Sequence, residues 1–223
     1  GVLQAPADIP TVAGDLDPAF FRSLVDASRD ITASGSWSTG LGEDGLNGTL
    51  GIDASYTRAE RLSLSGLDTV LLTAPGGETE LRSLPRALTN RTGTDTFEGG
   101  LALNKPLGGW QLSVTLDASH SDQLTRVDRR SDLSALVADA AAGTLDIAGP
   151  LPTIADPGFD RARFRDFAAS SLATLTGQPL RLPAGEVSLT LKGGFDFDRT
   201  NSTDSRAGTG PTRLKRGDTT AGA

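Results

Sequence analysis

The chain has 223 residues, a formal net charge of -7, 27 glycines, an apolar fraction of 37% and neither cysteine nor methionine. That length allows one sizeable domain. The acidic balance, with Lys and Arg scattered, excludes nucleic acid as a partner; the lack of cysteine removes disulfides, thiolate zinc sites and cysteine nucleophiles.

A low apolar fraction with abundant Gly, Ser and Thr does not suit a large enzyme built around a thick aliphatic core. No stretch reaches the roughly 18 to 20 uninterrupted apolar residues of a membrane helix. The longest candidate, residues 133–151, is broken by Asp139, Asp146 and Pro150. Strands that cross a membrane give no such signal, because only alternate side chains touch lipid. The chain starts with neither Met nor a charged-then-apolar leader, so a signal peptide is expected to have been removed or to lie outside this piece.

Residues 1–27 are expected to form an extracellular loop or lead-in, and a two-residue period begins after them. Ile31, Ala33 and Trp37 alternate with Thr32, Ser34, Ser36 and Ser38. From Leu46, the apolar set Leu50, Ile52, Ala54 and Tyr56 stands against Asn47, Thr49, Asp53, Ser55 and Thr57. Phe97, Leu101, Leu103 and Leu107 follow, with Glu98 and Asn104 opposite. From Trp110, the set Leu112, Val114, Leu116 and Ala118 alternates with Gln111, Ser113, Thr115, Asp117 and Ser119. From Val187, the set Leu189, Leu191, Gly193, Phe195 and Phe197 alternates with Ser188, Thr190, Lys192, Gly194, Asp196 and Asp198. Successive side chains of a strand point to opposite faces, so each segment has one greasy face and one wet face. Each also approaches or exceeds the roughly 9 to 11 residues a tilted strand needs to cross a bilayer, against about 5 to 6 for a soluble strand.

Connections alternate in length. Short turns with Gly, Asp and Pro chemistry are predicted at 42–45 and 104–109, and a third at 182–185. Long polar loops are predicted at 63–94 and 125–184. Short on one side and long on the other is the layout of an outer-membrane barrel. Short turns would then be periplasmic, so the strands from Leu46, Trp110 and Glu186 run outward and those near Ile31 and Phe97 run inward. Parity requires an inward strand between Arg163 and Leu180, where alternation is poor and a helix fits equally well. Residues 214–223 read as the start of another inward strand.

The predicted fold is therefore all-β: about seven strands, residues 28–223, forming part of an antiparallel up-and-down transmembrane β-barrel. A soluble β-sandwich would alternate for the same geometrical reason, but with shorter strands and no systematic alternation of loop length.

Three stretches, LNKPLGGWQLSVTLDASHSDQLTRVDRR, RLPAGEVSLTLKGGFDFDRTNS and TRLKRGDTTAGA, resemble the barrel region of TonB-dependent receptor-like outer-membrane proteins of Gram-negative bacteria. The resemblance covers most of the chain from about Ile31 onward and lies in strand style and order. Membership would imply a barrel of about 22 strands, an N-terminal plug domain and a TonB-contacting box. Neither plug nor box occurs in these residues, so either the chain is a fragment of a longer protein or the resemblance is to the barrel alone; the partners the resemblance implies are outer-membrane lipid, the rest of the barrel and plug, TonB and a small ligand.

Several motifs invite other readings. Gly40, Gly42 and Gly45 form a G-x-G-x-x-G, but a strand follows where a phosphate-binding helix is needed, and Glu43 and Asp44 would repel phosphate. His120, beside Ser119 and Asp122, invites a hydrolase triad; by parity it points away from Asp117 and Ser119. Asp196, Asp198, Asn201 and Asp204 loosely suggest a calcium loop without its central Gly and terminal Glu. The sequons at Asn47, Asn90 and Asn201 matter only in a eukaryotic secretory route. No catalytic, cofactor or metal residues are predicted.

The expected surfaces are a lumen-facing set, Asp53, Glu98, Asp117, Glu186, Lys192 and Asp196; a lipid-facing set, Leu50, Ile52, Leu112, Val114, Leu116, Leu189, Leu191 and Phe195; and an aromatic girdle of Trp37, Trp110 and Tyr56. The functional expectation is part of a receptor or transporter barrel in the bacterial outer membrane, taking up a ligand and performing no covalent chemistry. A secreted or surface β-sandwich adhesin is the alternative, and an outer-membrane hydrolase centred on His120 a distant one.

Overall fold

A computed structural model describes residues 16–183, 185–206 and 210–223. After a 3₁₀ turn at Pro18–Phe21 come β1 (Ala27–Gly40), β2 (Thr49–Thr73), β3 (Thr79–Leu107) and β4 (Trp110–Asp128). A helix, α1 (Ser134–Ala141), precedes β5 (Phe159–Leu182), β6 (Gly185–Asp204) and β7 (Thr212–Gly222). The seven strands form one open antiparallel sheet in sequence order, with β1 and β7 at its edges. Each strand pairs with its neighbours in the sequence, the commonest arrangement for consecutive strands.

Strand lengths exceed the sequence expectation: β2 has 25 residues and β3 has 29. The stretch 63–94, expected as a loop, is strand on both sides of a tight connection at 74–78, where Ala74 N donates to Glu78 O at 2.8 Å and Gly77 adopts φ 94°. The stretch 125–184 likewise contracts to 129–158, because β4 runs to Asp128 and β5 begins at Phe159. The strand that parity required between Arg163 and Leu180 is β5. Leu46, read as a strand start, lies before β2 and is 82% exposed. Residues 104–107, read as turn, belong to β3. Its turn to β4 is Gly108 and Gly109 alone, both left-handed at φ 56° and 91°, which suits the two-residue hairpin whose twist matches the strands.

The chain divides into two compact units with boundaries inside β2, β3, β4 and β5. Unit 1 is Gly1–Ser28, Arg61–Thr92 and Thr125–Arg161; unit 2 is Arg29–Glu60, Gly93–Leu124 and Ala162–Ala223.

Among the described residues, every buried apolar side chain belongs to unit 1: Leu67, Leu72, Leu84, Leu88, Leu136 and Ala140. Leu72 packs on Leu136 and Ala140 of α1, with Val70, Leu133, Leu145, Ile147, Leu151 and Ile154 around them. Strand residues here are covered on both faces, since the neighbours Leu67 and Asp68 are both buried, as are Arg82, Ser83 and Leu84. Buried Asp68 and Arg82 both have local partners. Asp68 accepts the Ser131 N–H at 2.8 Å and lies 3.5 Å from Arg130 and 3.7 Å from Arg86. Arg82 donates to the Ile147 and Gly149 carbonyls at 2.6 and 2.8 Å, tying the coil after α1 to β3. The residues before β1 are held too, by a bridge from Arg22 to Ser65 and by a Ser23 N–H to Leu64 O bond of 3.0 Å.

Unit 2 contains, among the described residues, only strand segments of the sheet and their hairpin turns. No second layer belongs to it.

Two predictions concern unit 1. Leu72→Ala removes a fully buried side chain and is expected to cost about 2 to 5 kcal/mol of local stability, read as loss of amide-exchange protection in α1. The Asp132 carboxylate accepts the Ser134 N–H just before α1 at 3.0 Å, and this bond holds its pKa below the usual carboxylate range. A lowered folded pKa stabilises above the unfolded value, about 3.9 for Asp, and the gain disappears as pH falls through the folded one. Protection of α1 should therefore fall in that acid range in the wild type and stay flat in Asp132→Asn.

Candidate functional site

Alternation along unit 2 sorts its side chains onto two faces, and cross-strand contacts confirm the sorting. On the wet face Thr32 meets Thr57, Ser55 donates to Glu98 at 3.2 Å and Thr176 meets Thr190. Thr200 donates to Asp166 at 2.5 Å on the same face. A groove of about 450 Å³ on this face is lined by Asp53, Glu98, Asp117, Ser119, Asp196 and Asp198. The Asp53 carboxylate lies over Gly100, where a Cβ would collide with it. Four of the expected lumen-facing residues thus converge. Among the described residues, none of the groove's carboxylates forms an ion pair, which leaves a strongly anionic wall open to water.

The other two expected residues of that set lie outside the groove. Lys192 pairs in register with Thr174 and Gly222, nearer the β5–β6 turn, and Glu186 at the start of β6 binds Arg181. Asp198, placed on the wet face by its alternation with Phe197, joins Asp53, Glu98, Asp117 and Asp196 in the groove lining.

The opposite face carries the apolar set. Ile52, Leu116 and Phe195 line a shallow hollow of about 520 Å³ with Leu101. Ile52, Leu116, Leu191 and Phe195 are each at least 40% exposed, and Leu50, Leu112, Val114 and Leu189 are half-buried by their neighbours. In a soluble fold such a row would be covered.

Aromatic residues stand towards both limits of this apolar face. Trp37 and Trp110 lie near the turn ends of β1 and β4. Further along, Tyr56 stacks on Phe97 with centroids 4.7 Å apart and donates its hydroxyl to Asp95 at 2.6 Å, while Phe167 meets Phe197 at 6.2 Å. Trp110 rests against Gly177 of β5, where a Cβ would fall on the indole ring. The pairing register of β5 and β6 also slips between Gly177 and Leu180.

Beyond the aromatic residues the same face becomes charged. Arg58 pairs with Glu60 at 2.7 Å and with Asp95 at 3.4 Å. Arg163 and Arg165 both bind Asp122, through Nε at 2.8 and 3.3 Å. None of these pairs was anticipated from the sequence.

Other candidate motifs separate. Gly40, Gly42 and Gly45 flank a hairpin, with strand following. Asp196, Asp198, Asn201 and Asp204 all lie within extended β6, Asn201 on the opposite face from the rest, so they do not form a loop around an ion. His120 sits mid-strand in β4. Among the described residues no His, Asp and Glu cluster has the geometry of a metal site. No helix is long and apolar enough to cross a membrane, which says nothing of strands.

Gly177→Ala is expected to displace the Trp110 indole and cost about 1 to 3 kcal/mol through overpacking. A shift in tryptophan emission accompanied by a lower denaturation midpoint would report it; an unchanged spectrum and midpoint would mean that the close approach is unimportant.

No protein-family model, no curated protein and no solved structure matches the chain.

Proposed function

We propose that the chain is part of the wall of an outer-membrane β-barrel, in which the apolar face of unit 2 meets lipid and the acidic face lines a watery lumen. One observation carries the reading: a single sheet layer presents a continuous row of exposed apolar side chains and, on the other side, an open anionic groove. The dimensions agree. From Val187 to Phe197 the strand rises about 34 Å, or about 26 Å along the membrane normal at a tilt near 40°. The apolar band of a transmembrane barrel is about 25 Å tall and flanked by aromatic girdles, the positions taken here by Trp37 and Trp110 at one limit and by Tyr56 and Phe97 at the other.

In this reading the strand edges of β1 and β7 are joined by further strands, because an unpaired edge cannot lie in hydrocarbon. Unit 1, packed around Leu72 and Leu136, supplies the ligand-capturing surface in this reading. Uptake through the barrel is a receptor or transporter function, and an acidic wall suits cations or hydroxyl-rich solutes. The TonB-dependent assignment draws only on the resemblance of strand style and order. A β-sandwich adhesin would need a second sheet to cover the apolar face, and unit 2 supplies none. A hydrolase would need partners for His120, whose neighbours Asp117 and Ser119 belong to the other face.

Arginine placed on each face separates these readings. Val114→Arg and Leu189→Arg are expected to cost about 2 to 4 kcal/mol if they lie near the bilayer midplane, measured by refolding the complete barrel, further strands included, into phosphatidylcholine vesicles. Thr115→Arg should be tolerated. Equal damage from both faces, or recovery of the chain as a detergent-free soluble monomer, would refute the barrel.

A further inference from the structure

Along β6 the residues on the apolar face run Leu189, Leu191, Gly193, Phe195, Phe197, then Arg199 and Asn201. The neighbouring strands continue the change. In register, Phe167 faces Arg199 and Arg199 faces Lys215; one step further, Arg165 faces Asn201 and Asn201 faces Arg213. Arg213 donates to the Asn201 side chain at 2.9 Å, which fixes it on this face. Directly opposed side chains have Cβ atoms about 4.5 to 5.5 Å apart, and alternate residues of one strand about 6.8 Å. Arg199, Arg213 and Lys215 are therefore within reach of one bridging anion.

Their electrostatics differ from those of the same belt on the earlier strands. There each Arg has a carboxylate: Glu60 and Asp95 for Arg58, Asp122 for Arg163 and Arg165. Among the described residues Arg199, Arg213 and Lys215 make no ion pair. Like charges directly opposed across strands are destabilising, so the pair Arg199 and Lys215 is favoured by an external counter-charge. The acidic partners nearby cannot supply it. Asp196, Asp198 and Asp218 are on the other face, with Arg216, which binds Asp218 at 2.6 Å.

We infer that Arg199, Arg213 and Lys215 form a docking site for the phosphate-bearing headgroups of membrane lipid. This inference rests on the barrel reading. The apolar row ending in Phe195 and Phe197 takes the acyl chains, and the cations directly beyond it take the headgroup phosphate, the two ends of one amphipathic molecule. Charge complementarity at the headgroup level and a greasy approach on the same face commit the site to a lipid in a bilayer. A soluble anion would use only the cations.

The test uses the complete barrel to which the chain belongs in that reading, refolded into phosphatidylcholine vesicles with spin-labelled lipids as probes. The wild type should restrict labelled phosphatidylglycerol several-fold more than labelled phosphatidylcholine, with the preference shrinking as salt rises. Arg199→Gln/Arg213→Gln/Lys215→Gln should insert equally well and lose the preference. Arg216→Gln, which removes a cation from the other face, should keep it. Three results would overturn the site: an inserted wild type without preference, a triple variant that retains it, or equal loss in Arg216→Gln. Displacement of the labelled lipid by free inorganic phosphate would replace a lipid site with an anion site and also overturn it. Failure of the wild type to insert would refute the barrel reading itself, a different outcome from insertion without preference.

Discussion

A sheet layer without a covering layer is the constraint on which the rest depends. In unit 1 the apolar side chains Leu72, Leu136 and Ala140 bury one another, whereas the apolar row of unit 2, from Ile52 through Leu116 to Phe195, is left exposed by the described residues of that unit. Burying a large aliphatic or aromatic side chain is worth roughly 1.5 to 3 kcal/mol, so a row of them left in water would sacrifice more than a marginally stable fold holds in reserve. An apolar solvent removes that cost. In the proposed setting the sheet could be one layer thick, since each face would contact a medium that suits it.

The two units solve the same problem by different means. Unit 1 covers both faces of β2 and β3 and places its polar groups where partners exist, as with Asp68 between Ser131, Arg86 and Arg130. Unit 2 separates its polar and apolar groups by parity alone. Charge follows position: the wet face is acidic along the groove, and the apolar face becomes charged only beyond the aromatic residues. An anionic face and a partly basic belt on the opposite face follow from a strict two-residue period with few exceptions.

What the sequence revealed depended on whether a strand has two different sides. β4 and β6 could be read almost residue by residue, because Leu112, Val114 and Leu116 alternate with Ser113, Thr115 and Asp117, and Phe195 and Phe197 with Asp196 and Asp198. The outer halves of β2 and β3 read as loop because both faces are buried, so Leu67 beside Asp68, and Arg82 beside Leu84, leave no period of two. β5 was obscured differently. Its apolar parity carries Arg163 and Arg165, and its wet parity carries Phe164 and Leu172, so the periodic signal cancels over the strand. The acidic groove was largely legible, while the ion pairs of Asp122 with Arg163 and of Arg58 with Asp95 were not, because they join residues about 40 positions apart.

The absence of native cysteine gives a direct test of the two-faced sheet. Val114→Cys and Thr115→Cys, made one at a time in the complete barrel refolded into vesicles, are treated with a water-soluble maleimide. The account predicts rapid labelling at 115 and protection at 114 until the membrane is dissolved and the chain unfolded. Equal labelling of the two positions in intact vesicles would contradict it.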